Sequence, residues 1–403
     1  MATKFKKNDS EENHYVHSHA EPLTEDKIKK QKHDTVAMDP SLKVNLNKLA
    51  KDVSYKVDND SAMNFEHKNF SHLLAMPISL LMTVWAFLKT ALCAFLTYIR
   101  HEEISYQPQT ANEQDCSEGK KIVKWFNFNA ALRVWWCVPQ EKKGETLRPR
   151  FTSLFFDRFS APLKKIRHGA ASWKALDIIY HHEFGRDKTF GSRLADFWIG
   201  MRNAQAVRNR HKLVQRELIK VICEIGKMQV NLLSVACGSA EAVIQVVKTV
   251  KEEKGIIVKV TLLDLDAKAL TYAKGLAKEY GIENQFLTIN ENIKNLEKVI
   301  TDSFDVIEML GFLDYQVYGK AVSLVSRLRA LLNKNGVFLT CNIMNNPEKY
   351  FLRWVISWPM IYRKPYEVAK IMLAAGFRKE NIALIAEPHE IHMMAICKLN
   401  SNC

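Results

Sequence analysis

Several absences narrow the reading of this sequence. Its eight cysteines form no CxxC pair and no regular framework, which excludes a zinc ribbon or a disulfide scaffold and predicts reduced, partly buried thiols. No GxxxxGK[ST] run occurs, which argues against a P-loop nucleotide hydrolase. No HExxH occurs either. His181, His182 and Glu183 read as an exposed helix end, and His389 and His392 have no acidic third ligand at metal spacing, so no metal site is expected. The opening stretch MATKFKKNDSEENHYVHSHAEPL contains no apolar h-region and is not a secretory signal. Together these predict a protein of the cytoplasm or of the cytoplasmic face of a membrane.

What is present divides into four parts. The chain has 403 residues, comfortable for two domains, and a formal net charge of +14 that invites an anionic membrane or nucleic acid without choosing between them. Residues 1–68 are polar and poor in aromatics and read as a disordered tail, with room for a short helix around Leu42 to Leu49. Residues 69–147 form an apolar and aromatic segment. Within it residues 73–99 are long enough to span a bilayer, yet Pro77 and Lys89 interrupt the run, so an interfacial helix or a packed greasy helix fits as well. The patch that follows interleaves Trp125, Phe126, Phe128, Trp135 and Trp136 with Lys121, Lys124 and Arg133. Such a mixture suits a membrane interface, the stacking of single-stranded bases, or a core helix. Residues 148–227 read as a helical cap. Its strongest helix runs through MRNAQAVRNRHKLVQRELIKVICEI, with Val207, Val214, Leu218 and Val221 at helical spacing and Arg202, Arg208 and Arg210 elsewhere around it.

Residues 228–403 change rhythm to strands alternating with amphipathic helices. The strands are expected at 230–236, 256–263, 286–289, 304–309, 337–341, 382–386 and 391–398. Alternation implies right-handed crossovers and a parallel, doubly wound sheet. The last two strands are separated by a link containing Pro388 and too short for a helix, so they form a hairpin and the last of the seven strands runs antiparallel.

The chemistry-bearing residues lie at the carboxyl ends of these strands, where open α/β sheets bind ligands. The first strand runs through LLSVACGSAEA into a helix, and Gly238 in that turn can take positive φ without obstructing a ligand. The second strand ends in LLDLDAKAL, where Asp264 can accept both hydroxyls of a ribose and Asp266 suits the cap of the next helix. After the fourth and fifth strands come Glu308, Gly311, Asp314 and Tyr315, then Asn342 and Asn345. Asp314 reads equally as a site residue or as a helix N-cap. Tyr362 and Arg363 follow an apolar run, where Arg363 is either an anion ligand or a surface residue.

From about residue 230 to 399 the sequence resembles the class I S-adenosylmethionine-dependent methyltransferases. LLSVACGSAEA stands where that family has its glycine-rich loop, Asp264 where it has the ribose-binding acid, and Asn292 in FLTINENIKNL where it has an Asp or Asn near the adenine amine. FDVIEMLGFLDY matches the fourth strand and LRALLNKNGVFLTCNIM the helix and fifth strand. The resemblance implies a seven-stranded Rossmann-like sheet under a helical cap. It implies S-adenosyl-L-methionine as cofactor, held by Ser234, Ala236, Gly238, Asp264, Leu265, Asn292 and Glu308. It departs at Ser234, which replaces an acid common in the first motif, and at Ala236 and Ala240, which replace glycines. A fainter resemblance is to a bacterial branch of methyltransferases similar to those that form methyl esters of 3-hydroxy fatty acids.

Asp314 and Tyr315 are then the candidates beside the transferred methyl, with Asn342, Tyr362 and Arg363 toward the substrate. The acceptor expected is lipid-like or otherwise apolar, met at an anionic membrane surface. An RNA acceptor is the first rival, although no Asn/Asp-Pro-Pro-aromatic motif follows the fourth strand. A binding protein that has lost activity is the second, motivated by the altered first motif.

Overall fold

The computed structural model describes residues 40–60, 77–85, 88, 141–142, 145–146, 156–356, 358 and 360–399. An eight-stranded sheet organises them. Its strands are β1 (Ser54–Val57), β2 (Gln229–Val235), β3 (Ile257–Asp264), β4 (Phe286–Asn290), β5 (Phe304–Met309), β6 (Leu332–Ile343), β7 (Ile382–Ala386) and β8 (His392–Lys398). Across the sheet they run β1-β7-β8-β6-β5-β2-β3-β4. Neighbours are parallel except β8, which is antiparallel to both β6 and β7, as the short Pro388 link requires.

The sheet has one strand more than expected. β1 pairs parallel with β7, Ser54 opposite Ala383, and comes from the segment read as a disordered tail. Four residues with an exposed pattern on every side chain leave no alternation to detect. The helix before it, α1 (Pro40–Lys51), coincides with the short helix expected there and buries Ala50 in the core. Residues 1–39 and 61–68 of that tail, and the Trp and Lys patch, lie outside the described residues.

The parallel strands read as nearly continuous apolar runs because both faces are covered. One layer gathers Leu233, Val235, Ile307 and Met309 with α8 (Tyr318–Ala330) and α9 (Pro365–Ala374). The other gathers Val230, Leu232, Val258 and Val260 with α6 (Glu241–Lys254) and α7 (Ala267–Glu279).

The helical cap comprises α2 (Ala161–His168), α3 (Trp173–Tyr180), α4 (Phe190–Ile199) and the first turns of α5 (Arg202–Ile225). α5 joins cap to sheet. Ala206 and Val207 sit in the cap's own core, while Leu213, Val214, Leu218, Val221 and Ile222 pack on the sheet layer. Gly226 ends the helix in the left-handed conformation, releasing the chain into β2.

Residues 77–85 are helical and dock through Met82, which enters the cap core, while Leu80, Leu81 and Val84 are exposed. Among the described residues no helix is long and apolar enough to cross a membrane. Most of the apolar run from 86 to 99 lies outside them.

Candidate active site

The loop after β2 takes a glycine-loop backbone despite its alanines. Ala236, Gly238 and Ala240 have φ of 50°, 56° and 49°, left-handed at alternate positions. An L-residue holds that conformation at a cost of about 1–2 kcal/mol, so two alanines there mark a shape that the surroundings impose. Asp264, at the end of β3, fastens the loop. Its Oδ2 accepts the Gly238 amide at 2.8 Å and its Oδ1 the Asp266 amide at 2.8 Å. Each carboxylate oxygen keeps a further lone pair. Burial raises the Asp264 pKa, opposed by those two amides and that of Leu265.

Asp266 caps α7, as expected, by accepting the Lys268 amide at 2.9 Å. Leu265 beside it is half exposed. Asn292 caps a short 3-10 turn through Lys294 N at 2.9 Å, leaving its side-chain amide nitrogen for other partners. Asn290, not singled out from sequence, donates to the carbonyls of Asp264 and Leu265 and fixes the rim between them.

Trp173 covers this loop. A Cβ on Gly238 would lie 3.1 Å from the Trp173 Cβ. Its indole donates to Asp266 Oδ2 at 2.9 Å and packs on Tyr272 with ring centroids 4.9 Å apart. α3 therefore crosses the amino ends of α6 and α7, reinforced by Tyr272 donating to Asp177 and by His181 against Glu241. His181 indeed follows the end of α3, whereas His182 is drawn inward to Asp196 at 2.8 Å. A single tryptophan in a helical segment carries no sequence signal for this placement.

At the centre of the sheet Ser234 of β2 stands opposite Glu308 of β5. Their side chains are hydrogen-bonded and buried, and Glu308 Oε2 has no partner. Burial pushes the Glu308 pKa up to about 7, opposed by the Ser234 hydroxyl and the Leu310 amide.

Past Glu308 the chain opens onto a cavity between the carboxyl ends of β5 and β6 and the cap. Its empty space, open mouth included, amounts to about 790 Å³. Its walls are apolar, among them Leu163, Ile166, Trp198, Phe351 and Trp358. Asp314 and Tyr315 both line it. Asp314 does not cap a helix. It sits in a 3-10 turn, its Oδ1 accepts the Ile343 amide at 2.7 Å, and Val317 occupies the cap position of α8. Burial pushes its pKa up to about 6, opposed by the Ile343 amide and by Arg210 and Arg363. The Tyr315 hydroxyl accepts the Trp358 indole N–H at 2.7 Å, which fixes the ring.

Arg363 is buried rather than superficial. It donates to the carbonyls of Leu313, at 2.9 Å, and Gln316, and to Asn342 Oδ1. Asn342 in turn donates to the carbonyls of Ile343 and Ile361. These two residues clamp the loop that carries Asp314 onto the end of β6. Tyr362 beside them keeps a buried hydroxyl without a partner.

Arg210 and His392 are among the polar residues of the cavity that were not anticipated, with Asn203 and Glu348. Arg210 of α5 is buried, and among the described residues its only hydrogen bond is to the Tyr180 hydroxyl at 3.3 Å. His392, at the start of β8, is buried with neither ring nitrogen bonded, and burial, with Arg210 nearby, holds it neutral. A signal for Arg210 existed. It lies three residues after Val207 and four before Val214, on the apolar stripe itself.

Comparison with known proteins bears on this arrangement. Residues 227–372 match a family described as a methyltransferase domain. No curated protein matches the chain. Among solved structures, one similar fold is a possible exported protein from Bordetella parapertussis, with TM-score 0.50 and 14% identity over 60% of this chain and 86% of that one. The magnesium protoporphyrin IX methyltransferase of Synechocystis with bound S-adenosylhomocysteine gives TM-score 0.42 and 14% identity, covering 62% of this chain and 99% of that one. A methyltransferase of Clostridium acetobutylicum gives 0.36 and 13%, covering 47% and 92%.

Proposed function

We propose, from the match of residues 227–372 to a methyltransferase domain family, that the chain uses S-adenosylmethionine to methylate an apolar small molecule held in the cavity under the cap. The residues at the strand ends fit the cofactor. The left-handed loop at 236–240 keeps side chains small where a ligand passes close to backbone, and Asp264 retains acceptor capacity beside it. Bound there, S-adenosylmethionine supplies a methyl group on a sulfonium centre. Asp264 would accept the ribose hydroxyls, with Leu265 and Asn292 flanking the base.

The observation that carries the acceptor side is the cavity, which begins just past Glu308 and is walled by the cap. Methyl displacement depends mainly on alignment of nucleophile and donor. An enclosed, mostly apolar wall orients a small acceptor and excludes water. A nucleic acid would instead need an open cationic groove. Asp314, held by the Ile343 amide and facing the cavity, can take the proton of an acceptor hydroxyl, since its carboxyl pKa of about 6 leaves it ionised at neutral pH. Tyr315 shapes the same wall, while Asn342 and Arg363 keep the Asp314 loop in register.

The test is incubation with isotopically labelled S-adenosylmethionine and an extract of apolar metabolites, read by mass spectrometry. Wild-type protein should label a small apolar product, and Asp314→Asn should lower turnover on the order of 10²-fold with cofactor affinity retained. Label appearing in RNA, or full activity in the variant, would overturn this assignment.

A further inference from the structure

Ser234 occupies the place on β2 where the glycine loop's preceding acid is missing. Directly across the β2–β5 ladder, Glu308 brings a carboxylate against the Ser234 hydroxyl. Both side chains are almost wholly buried, at 0% and 2% exposure, so this carboxylate is not a solvated surface group. Its Oε1 is engaged by Ser234, the Leu310 amide also acts on the carboxylate, and its Oε2 makes no hydrogen bond of its own. A buried carboxyl oxygen without a partner costs free energy unless a ligand completes it.

The position says what kind of ligand. β2 is the strand from which the order turns, β3 lying on one side and β5 on the other, and ligands of open α/β sheets bind at that switch point. The loop from 236 to 240 begins one residue beyond β2, and the acceptor cavity reaches Gly311 just beyond β5.

We propose that Glu308 supplies from β5 the carboxylate that β2 lacks, and that it receives the ammonium group of the cofactor's methionine, with Ser234 orienting it. This rests on the cofactor reading above. Burial pushes the Glu308 carboxyl up to about 7, so a cation arriving at Oε2 would favour the ionised form and strengthen the contact. The relocation also explains why a serine suffices on β2. A hydroxyl fits beside a carboxylate, whereas a second acid there would repel Glu308.

Calorimetric titration with two probes decides the matter: S-adenosylmethionine, and 5′-methylthioadenosine, which shares the adenosine but lacks the amino-acid portion. Glu308→Ala should weaken the first by about 10- to 100-fold, the scale of one charged hydrogen bond, and leave the second unchanged. Glu308→Gln, which keeps a partner for Ser234, should behave similarly. The double variant Ser234→Asp with Glu308→Ala returns the acid to β2 and should recover most of the lost affinity. Equal losses for both probes in Glu308→Gln, or unchanged affinity for S-adenosylmethionine, would overturn the assignment. Failure of the wild type to bind either probe would instead remove the cofactor reading itself.

Discussion

At the scale of single residues, the loop from 236 to 240 shows how backbone shape survives a change of side chains. Ala240 precedes α6 with φ of 49°, where glycine is relaxed and alanine is strained. Ala240→Gly should therefore raise stability by roughly 0.5–1 kcal/mol, relief of strain exceeding the added entropy of the unfolded chain. Urea unfolding read by circular dichroism checks this. A loss like that expected for Ala273→Gly inside α7, about 1 kcal/mol, would mean that the left-handed loop is not the native one. The positions of this loop and of Asp264 at a strand end, and the Asp266 cap, were legible in the sequence, whereas the hold of Asp264 on the loop through Gly238 was not. The Glu308 partnership was not, because sequence order says nothing of which side chains meet across a parallel ladder. Asp314 was undecided between cap and site. Its bond to Ile343 N, across the gap between β5 and β6, settled where the side chain points.

Among elements, α5 and α3 do what periodicity alone does not reveal. α5 was readable as an amphipathic helix from its apolar stripe, yet Arg210 was placed off that stripe, elsewhere around the helix. It faces the cavity with donors to spare and no carboxylate within ion-pair distance among the described residues. If that charge is kept for an acceptor, Arg210→Met should change unfolding stability by less than about 1 kcal/mol, because no built ion pair is broken. Rupture of a buried pair costs about 3–5 kcal/mol, and a loss of that size would show that Arg210 serves the fold. α3 was expected only as part of a helical cap. Its seating over Gly238 through Trp173 depends on tertiary contacts with Asp266 and Tyr272 from another part of the chain. β1 escaped for a different reason: an edge strand of four exposed residues takes its identity from the β7 backbone beside it.

For the whole molecule, alternating strands and helices prescribed the doubly wound sheet, and the missing helix near Pro388 prescribed its antiparallel strand. Two features then fall on one edge of that sheet: the loop and acid at the ends of β2 and β3, and the apolar cavity at the ends of β5 and β6. The cap covers both, Trp173 on one side and Trp198 on the other. The central claim is that this edge binds S-adenosylmethionine, with Asp264 holding its ribose. Calorimetric titration of S-adenosylmethionine into the full chain tests it most directly. Wild-type protein should bind at a single site, and Asp264→Ala, shown to be folded, should bind more weakly by about 1–3 kcal/mol. No binding by the wild type, or the same affinity in the variant, would contradict it.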